Sequence, residues 1–330
     1  MGSICESNPK IEPKKEVKEN KIGIISKIEF LNEKYGIYRV YEISDNRLAV
    51  ELEKCLKIYS LSNFDLIIEI NQEKINKSIE LKNKDIAMTN YDTVNIYKLS
   101  ENNYICYQKI LPDLGEIFEI YELKNENLIL SVVHHIDIYS KSNGEYQKIS
   151  EIELKDSATN IVEIKDNIVF IFEQSKFYTY SDDLSRCALE ILNIEKKQFL
   201  YYSYGSLNEL NHDSLAYYGC DAIVKKNKYL LLNYFEDFNI LDIEKNENIK
   251  RIYYLNNFQQ NFKNIANFDD DNFILLPCKD IYKYDEISNK IIFVKKLDIE
   301  MENIIDVIKL KNNYLVAYNK NEILILKYYK

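Results

Sequence analysis

The sequence predicts an all-β fold, a seven-bladed β-propeller of four-stranded antiparallel blades closed by an N-terminal strand. Three observations predict it. A motif of polar turn, short apolar strand, short loop and aromatic-ended strand occurs seven times. Within each copy two apolar or aromatic positions stand ten residues apart. Five of the six spacings between copies match the roughly 40 to 50 residues of one propeller blade.

The first apolar residues after the turns are Leu48, Ile86, Leu128, Ile168, Leu230, Ile274 and Leu315. Ten residues after them come Ile58, Ile96, Ile138, Tyr178, Ile240, Tyr284 and Ile325. A constant offset is expected of two antiparallel strands, b and c, whose hairpin length holds their register. Asn or Asp stands just before each anchor, as at Asp45 and Asn46, Asn83, Asn125, Asp166, Asn227, Asp271 and Asn272, and Asn312 and Asn313. These residues tolerate positive φ and bond their own backbone, so they make turns in a chain with seven Gly. Anchor spacings are 38, 42, 40, 62, 44 and 41 residues, and the long one predicts an insertion at about 195–219. Strands a and d complete each blade, for example Ile79 to Leu81 and Tyr104 to Ile110. The last copy ends without a d strand, and Ile22 to Phe30 precedes the first copy with nothing to pair to. The expectation is that this N-terminal strand becomes the outer strand of the seventh blade and covers its edge.

The segment Ile86-Ala87-Met88-Thr89-Asn90-Tyr91-Asp92-Thr93-Val94-Asn95-Ile96-Tyr97 resembles the b-loop-c part of a degenerate WD repeat. Leu56 to Tyr59, Ile136 to Tyr139 and Asn239 to Asp242 are weaker versions, and Tyr59-Ser60, Tyr97-Lys98 and Tyr139-Ser140 stand at the place of the namesake dipeptide. The resemblance to WD-repeat propellers covers about Ile22 to Lys330. It implies a scaffold that binds a protein or peptide on the face shared by the b to c loops and the d to a connections.

Composition narrows the function. Hydrophobic residues at 46 % supply a core, and no apolar run reaches the length of about 18 residues that a membrane span needs. A net charge of -10 with interspersed signs excludes the basic stripe of a nucleic-acid surface. The six Cys never approach Cys-x-x-Cys, and without an apolar secretory core at the N-terminus they are expected as free thiols in the cytoplasm. The adjacent His134 and His135 lack a third ligand or orienting carboxylate that the sequence can assign, so they read as loop residues and no metal is expected. Asp269-Asp270-Asp271-Asn272 falls where other copies turn and reads as a turn. Phosphate loops, nucleophile elbows and metalloprotease motifs are missing, so neither cofactor nor catalytic residue is expected.

Two features rise above the repeat. The insertion carries Tyr201, Tyr202, Tyr204, Tyr217 and Tyr218, a residue type enriched at binding hot spots. With the b to c loop residues Tyr91 and Asp92, His134 and His135, Phe235 and Glu236, and Lys279 and Asp280, these are the expected partner contacts. The start Met1-Gly2-Ser3-Ile4-Cys5 resembles that of acylated proteins, with Gly2 for a myristoyl and Cys5 for a palmitoyl group, and residues 1–21 read as a Lys- and Glu-rich tail that would tether the 22–330 propeller to the cytoplasmic face of a membrane. The expected function is a non-enzymatic interaction scaffold. Its rivals are a hydrolase or lyase acting in the central funnel, and a structural subunit of a large assembly, which would expose apolar patches along the outer strands.

Overall fold

A computed structural model describes residues 23–30, 36–101, 103–113, 115–154, 157–175, 186–206, 221–225, 229–234, 237–242, 250–255, 264–276, 279–288, 290–312 and 314–327. The first strand is β1 (Gly23–Glu29). Blade 1 is β2 (Arg39–Ile43), β3 (Arg47–Glu51), β4 (Cys55–Ser60) and β5 (Leu66–Asn71). Blade 2 is β6 (Lys77–Glu80), β7 (Ile86–Thr89), β8 (Val94–Ser100) and β9 (Asn103–Ile110). Blade 3 follows as β10 (Glu119–Glu122), β11 (Leu128–Val132), β12 (His135–Ser142) and β13 (Glu145–Glu153). Blade 4 is β14 (Ala158–Lys165), β15 (Ile168–Ser175), β16 (Arg186–Asn193) and β17 (Gln198–Ser206). Blade 5 comprises β18 (Asp221–Lys225), β19 (Tyr229–Tyr234), β20 (Asp237–Asp242) and β21 (Lys250–Leu255). Blade 6 comprises β22 (Asn264–Asn267), β23 (Asn272–Leu276), β24 (Asp280–Asp285) and β25 (Lys290–Lys296). Blade 7 takes β26 (Asp306–Lys309), β27 (Tyr314–Tyr318) and β28 (Glu322–Lys327), and β1 lies beside β28 as its fourth strand. The fold is a seven-bladed β-propeller, all-β, with the N-terminal strand completing the last blade.

The chain divides into two compact units. One holds blades 1 to 4 within Glu29–Cys220, with Lys320–Glu322; the other holds blades 5 to 7 within Asp221–Asn319 and Ile323–Lys330, with the strand before Glu29. In each unit the core lies between successive blades. Ile86 and Met88 of β7 join the cluster shared with blade 1, whereas Ala87 joins the one shared with blade 3. Each b strand is therefore covered on both faces, which is why β3, β7 and β11 read as apolar runs rather than as alternation.

The expected hairpin register holds in five blades. Leu48 pairs with Tyr59, Ile86 with Tyr97, Leu128 with Tyr139, Leu230 with Leu241 and Leu315 with Leu326, each eleven residues on. Blades 4 and 6 correct the expectation, and a shared bulge identifies their equivalent residues. In the first six blades strand d carries one extra residue opposite strand c, at Ile58/Tyr59, Ile96/Tyr97, Ile138/Tyr139, Ile191/Leu192, Ile240/Leu241 and Ile281/Tyr282. By that landmark the anchor of blade 6 is Phe273, paired with Tyr282 nine residues on, and Tyr284 lies beyond it. In blade 4 Val169 pairs with Leu192, twenty-three residues on, so strand c is Arg186–Asn193 and Tyr178 falls outside the described residues. The extra length of this repeat is divided between residues 176–185, in its b to c connection, and residues 207–220, after strand d.

Turn chemistry follows the Asn and Asp positions in two ways. Asp45 and Asn46 both take positive φ, 61° and 58°, and Asn167 takes 60°. In blades 2 and 3 the Asn side chain works instead. Asn83 Oδ1 accepts the Asp85 N–H and Asn125 Oδ1 that of Asn127, while Lys84 and Glu126 take the left-handed position. Asp269 Oδ1 likewise accepts the N–H groups of Asp271 and Asn272, so the acidic run is a turn.

A glutamate six residues before the anchor ties blade to blade. Glu80 accepts the Ser44 N–H and hydroxyl at 2.7 and 2.5 Å, Glu122 the Lys82 N–H at 2.7 Å, and Glu163 the Lys124 N–H at 2.7 Å. Tyrosines seal the same inter-blade layer. Burial raises the phenol of Tyr41 well above the ordinary tyrosine range against the opposing pull of Arg39, and its hydroxyl meets Ser78 Oγ at 2.8 Å. Burial also raises Tyr107, which donates to Asp85 at 2.9 Å, and Tyr146, where Glu122 adds to it. A folded-state pKa above the unfolded one means that these phenols contribute stability fully below about pH 10, and that it is lost as pH rises past that point. Phenolate absorbance followed with circular dichroism is expected to show exposed tyrosines titrating near pH 10 and the buried ones only as the β signal is lost. Complete titration of all 28 tyrosines near pH 10 with the β signal intact would contradict this packing.

Candidate functional site

The junction of blades 2 and 3 builds a surface from three loops. The turn after β7 is held by Asn90, whose Oδ1 accepts the N–H groups of Asp92 and Thr93 at 3.0 and 2.7 Å and the Thr93 hydroxyl at 3.0 Å. That geometry leaves Tyr91 at the apex, 38 % exposed, with Lys74 Nζ 4.9 Å from its ring centroid, and leaves Asp92 exposed. The connection from β9 to β10 lies across this turn. Ile117 is buried, and its N–H donates to Tyr91 O at 2.6 Å while Asn76 Nδ2 donates to Ile117 O at 3.1 Å.

Gly115 fixes the other side of that connection. Its φ is +78°, and a Cβ placed there would lie 2.8 Å from Val133 Cγ2 in the turn before β12. Only glycine satisfies both the left-handed backbone and the close approach. The connection is thus clamped to two b to c turns, and it presents Leu111, 65 % exposed, with Asp113 and Glu116 exposed beside it.

Below this loop lies a charged cluster on β12 and β13. Asp137 is fully buried; its Oδ2 accepts the Tyr139 hydroxyl at 3.4 Å, and its Oδ1 lies 2.9 Å from Lys148 Nζ, as an ion pair, and 3.3 Å from His135 Nε2, without hydrogen-bond alignment to either. Lys148 Nζ also reaches Glu151 Oε2 at 2.9 Å and Asp113 Oδ2 at 3.4 Å. Burial pulls the Lys148 ammonium down, but the Asp137 and Glu151 carboxylates outweigh it and hold the group above the ordinary lysine range. Lys148 in turn holds Glu151 below the usual carboxylate range.

The structure thus brings together four of the expected contact residues, Tyr91, Asp92, His134 and His135. His134 forms the turn itself with φ 60°, and His135 opens β12. Four others are corrected. Tyr201, Tyr202 and Tyr204 lie on β17, the d strand of blade 4, paired with Ile191, Glu190 and Ala188, rather than in a connection. Asp280 opens β24 and is 2 % exposed, so it packs within blade 6 instead of facing a partner, while Lys279 takes φ 61° and donates its Nζ to Ile299 O. Tyr217, Tyr218, Phe235, Glu236, Gly2 and Cys5 lie outside the described residues. Among the described residues no helix is long and apolar enough to cross a membrane.

Sequence reasoning missed Leu111, Gly115, Lys148 and Glu151. One signal was available for the loop: Ile37, Ile75, Ile117 and Ile304 each stand eleven residues before an anchor. The first three donate their N–H groups to Lys320 O, Glu53 O and Tyr91 O, so the repeat of a buried isoleucine marks where each connection docks.

No protein family matches the sequence, and no curated protein matches it. Solved structures match the fold. The β-propeller domain of Cps50 (Swd1) from Myceliophteria thermophila aligns with a TM-score of 0.65 at 9 % identity, over 94 % of this chain and 100 % of that one. Virginiamycin B lyase from Staphylococcus aureus aligns with a TM-score of 0.63 as a catalytically inactive variant with quinupristin, and of 0.62 in its selenomethionine-substituted form. Both lyase structures share 12 % identity with this chain, over 94 % of it and 100 % of theirs. At such identities the likeness concerns the propeller architecture alone.

Proposed function

We propose that the chain is a non-enzymatic protein-interaction scaffold that receives a protein or peptide on the loop surface at the blade 2 to blade 3 junction. The observation that carries this reading is the clamped β9 to β10 connection, which holds an exposed aromatic, Tyr91, and an exposed aliphatic, Leu111, on a preorganised backbone. Loops on a rigid scaffold lose little entropy on binding, and tyrosine anchors carry a large share of interface energy. Replacing Tyr91 and Leu111 together by Ala is expected to leave stability within about 0.5 kcal/mol and to weaken partner binding by roughly 2 kcal/mol. Affinity capture from native cells, quantified for the wild type and the double variant at matched thermal stability, tests it. An identical partner set for both proteins would remove this surface from the reading.

A second reading rests on the outer strands. Leu66 and Ile67 of β5 and Ile105 of β9 are about half exposed, and Ile67 and Ile105 border a groove with Glu69, Glu101 and Asn103. The β-bulge turns Ile67 outward in blade 1 and Ile149 outward in blade 3, where Ile149 is also exposed. Such residues favour a subunit of a larger assembly. Ile67→Lys with Ile105→Lys would then lower the native assembly mass while sparing the loop-surface partners.

A further inference from the structure

We infer that His135, Asp137 and Glu151 form a site for one divalent transition-metal ion of the zinc type, with the Lys148 ammonium as the cation that holds the place when the metal is absent. His135 and Asp137 are two apart on β12 and share a face; Glu151 is the cross-strand partner of Asp137 on β13. Their ligand atoms, one imidazole nitrogen and two carboxylate oxygens, lie within 4.8 Å of one another. Small side-chain adjustments bring such a set onto a single ion with bonds of about 2.0 to 2.2 Å, and N/O ligation of this kind suits Zn²⁺ and Co²⁺.

Two further observations point to a cation beyond the lysine. Asp137 is fully buried, and its Oδ1 points into the cluster without a hydrogen bond. The Lys148 ammonium 2.9 Å away offsets the cost of burying this carboxylate, and a metal ion is another way such an oxygen is satisfied. Lys148 also faces three carboxylates, Asp113, Asp137 and Glu151, so one positive charge stands against three negative ones around a single Nζ. The Lys148 side chain is 26 % exposed and has a path to solvent, so a dication can take its place beside Asp137. Asp113, on the clamped connection, already lies 3.4 Å from Nζ and can keep the displaced ammonium.

Because metal and ammonium compete for the same carboxylates, removing the ammonium is expected to strengthen binding. Titration of the tag-free full chain with Co²⁺, read by its visible absorbance and by calorimetry, is expected to give one site in the wild type. Lys148→Ala should bind at least tenfold more tightly, and adding His135→Ala or Glu151→Gln to Lys148→Ala should undo that gain. Where Lys148→Ala does not fold, the melting temperature of the wild type with and without Zn²⁺ decides. A rise in the wild type that is lost in both His135→Ala and Glu151→Gln supports the site; no rise, or a rise that persists in these variants, overturns it. Absence of saturable binding in both the wild type and Lys148→Ala, or binding indifferent to His135 and Glu151, also overturns it.

Discussion

Gly36→Ala is expected to destabilise the protein by about 3 kcal/mol or more, because an added methyl group there meets backbone at closer range than at Gly115 or Gly144. Gly36 sits at φ +73°, and a Cβ there would lie 2.4 Å from the carbonyl oxygen of Lys320 and 3.0 Å from its Cβ. The obstacle is backbone, which cannot rotate aside as a flexible side chain does. Movement would also break the bond from the Ile37 N–H to the same Lys320 oxygen, 2.8 Å, which docks the connection leading into blade 1. Gly144 separates the two causes. Its φ is +90° in the turn between β12 and β13, but an added Cβ meets nothing within 4 Å, so Gly144→Ala should carry only the conformational cost of about 1 kcal/mol. Chemical denaturation of the two variants against the wild type measures the difference. Equal losses would mean that the approach of Gly36 to Lys320 is not a constraint on the fold.

Removing residues 1–29 deletes β1 and is expected to destabilise the whole body and promote aggregation. The sheet β1-β28-β27-β26 would lose its outer strand, leaving the Glu322-Ile-Leu-Ile-Leu-Lys327 strand as a free apolar edge that can pair with another chain. The contribution of β1 lies in backbone pairing rather than in buried area, because Ile24 is 59 % exposed and Ile25 also faces solvent. Its anchor is the residue that follows. Phe30 is buried, packs edge-on to Tyr59 with centroids 6.3 Å apart, lies 5.6 Å from Lys57 Nζ, and donates its N–H to Asn321 O at 2.7 Å. Phe30→Ala should therefore cost about 3 kcal/mol and Ile24→Ala under about 0.5 kcal/mol. A truncated chain that starts at Phe30, stays soluble and melts within about 2 °C of the full chain would show that β1 does not hold the seventh blade.

Sequence alone determined the class, the number of blades, the positions of the described turns before the anchors and the role of the N-terminal strand. Those features rest on local chemistry: Asn and Asp at turns, apolar runs of strand length, and a repeat whose period is the length of one blade. It misplaced strand c of blade 4 and slid the anchor of blade 6 by one residue. In both places an apolar residue stands beside the true anchor, Ile168 beside Val169 and Ile274 beside Phe273, and a strand covered on both faces has no alternation to choose between them. Two regular signals in the chain, the isoleucine eleven residues and the glutamate six residues before the anchor, became legible only once their partners were known. The candidate site belongs wholly to tertiary structure. His135 meets Lys148 and Glu151 because a bulge after Ile138 sets how β13 folds back along β12, and Tyr91 meets Ile117 because Gly115 lets a loop approach Val133. Residues thirteen to twenty-six apart in sequence are brought together by strand register and close backbone approach. Neither has a local pattern, since each depends on where the next strand or the next blade has already been placed.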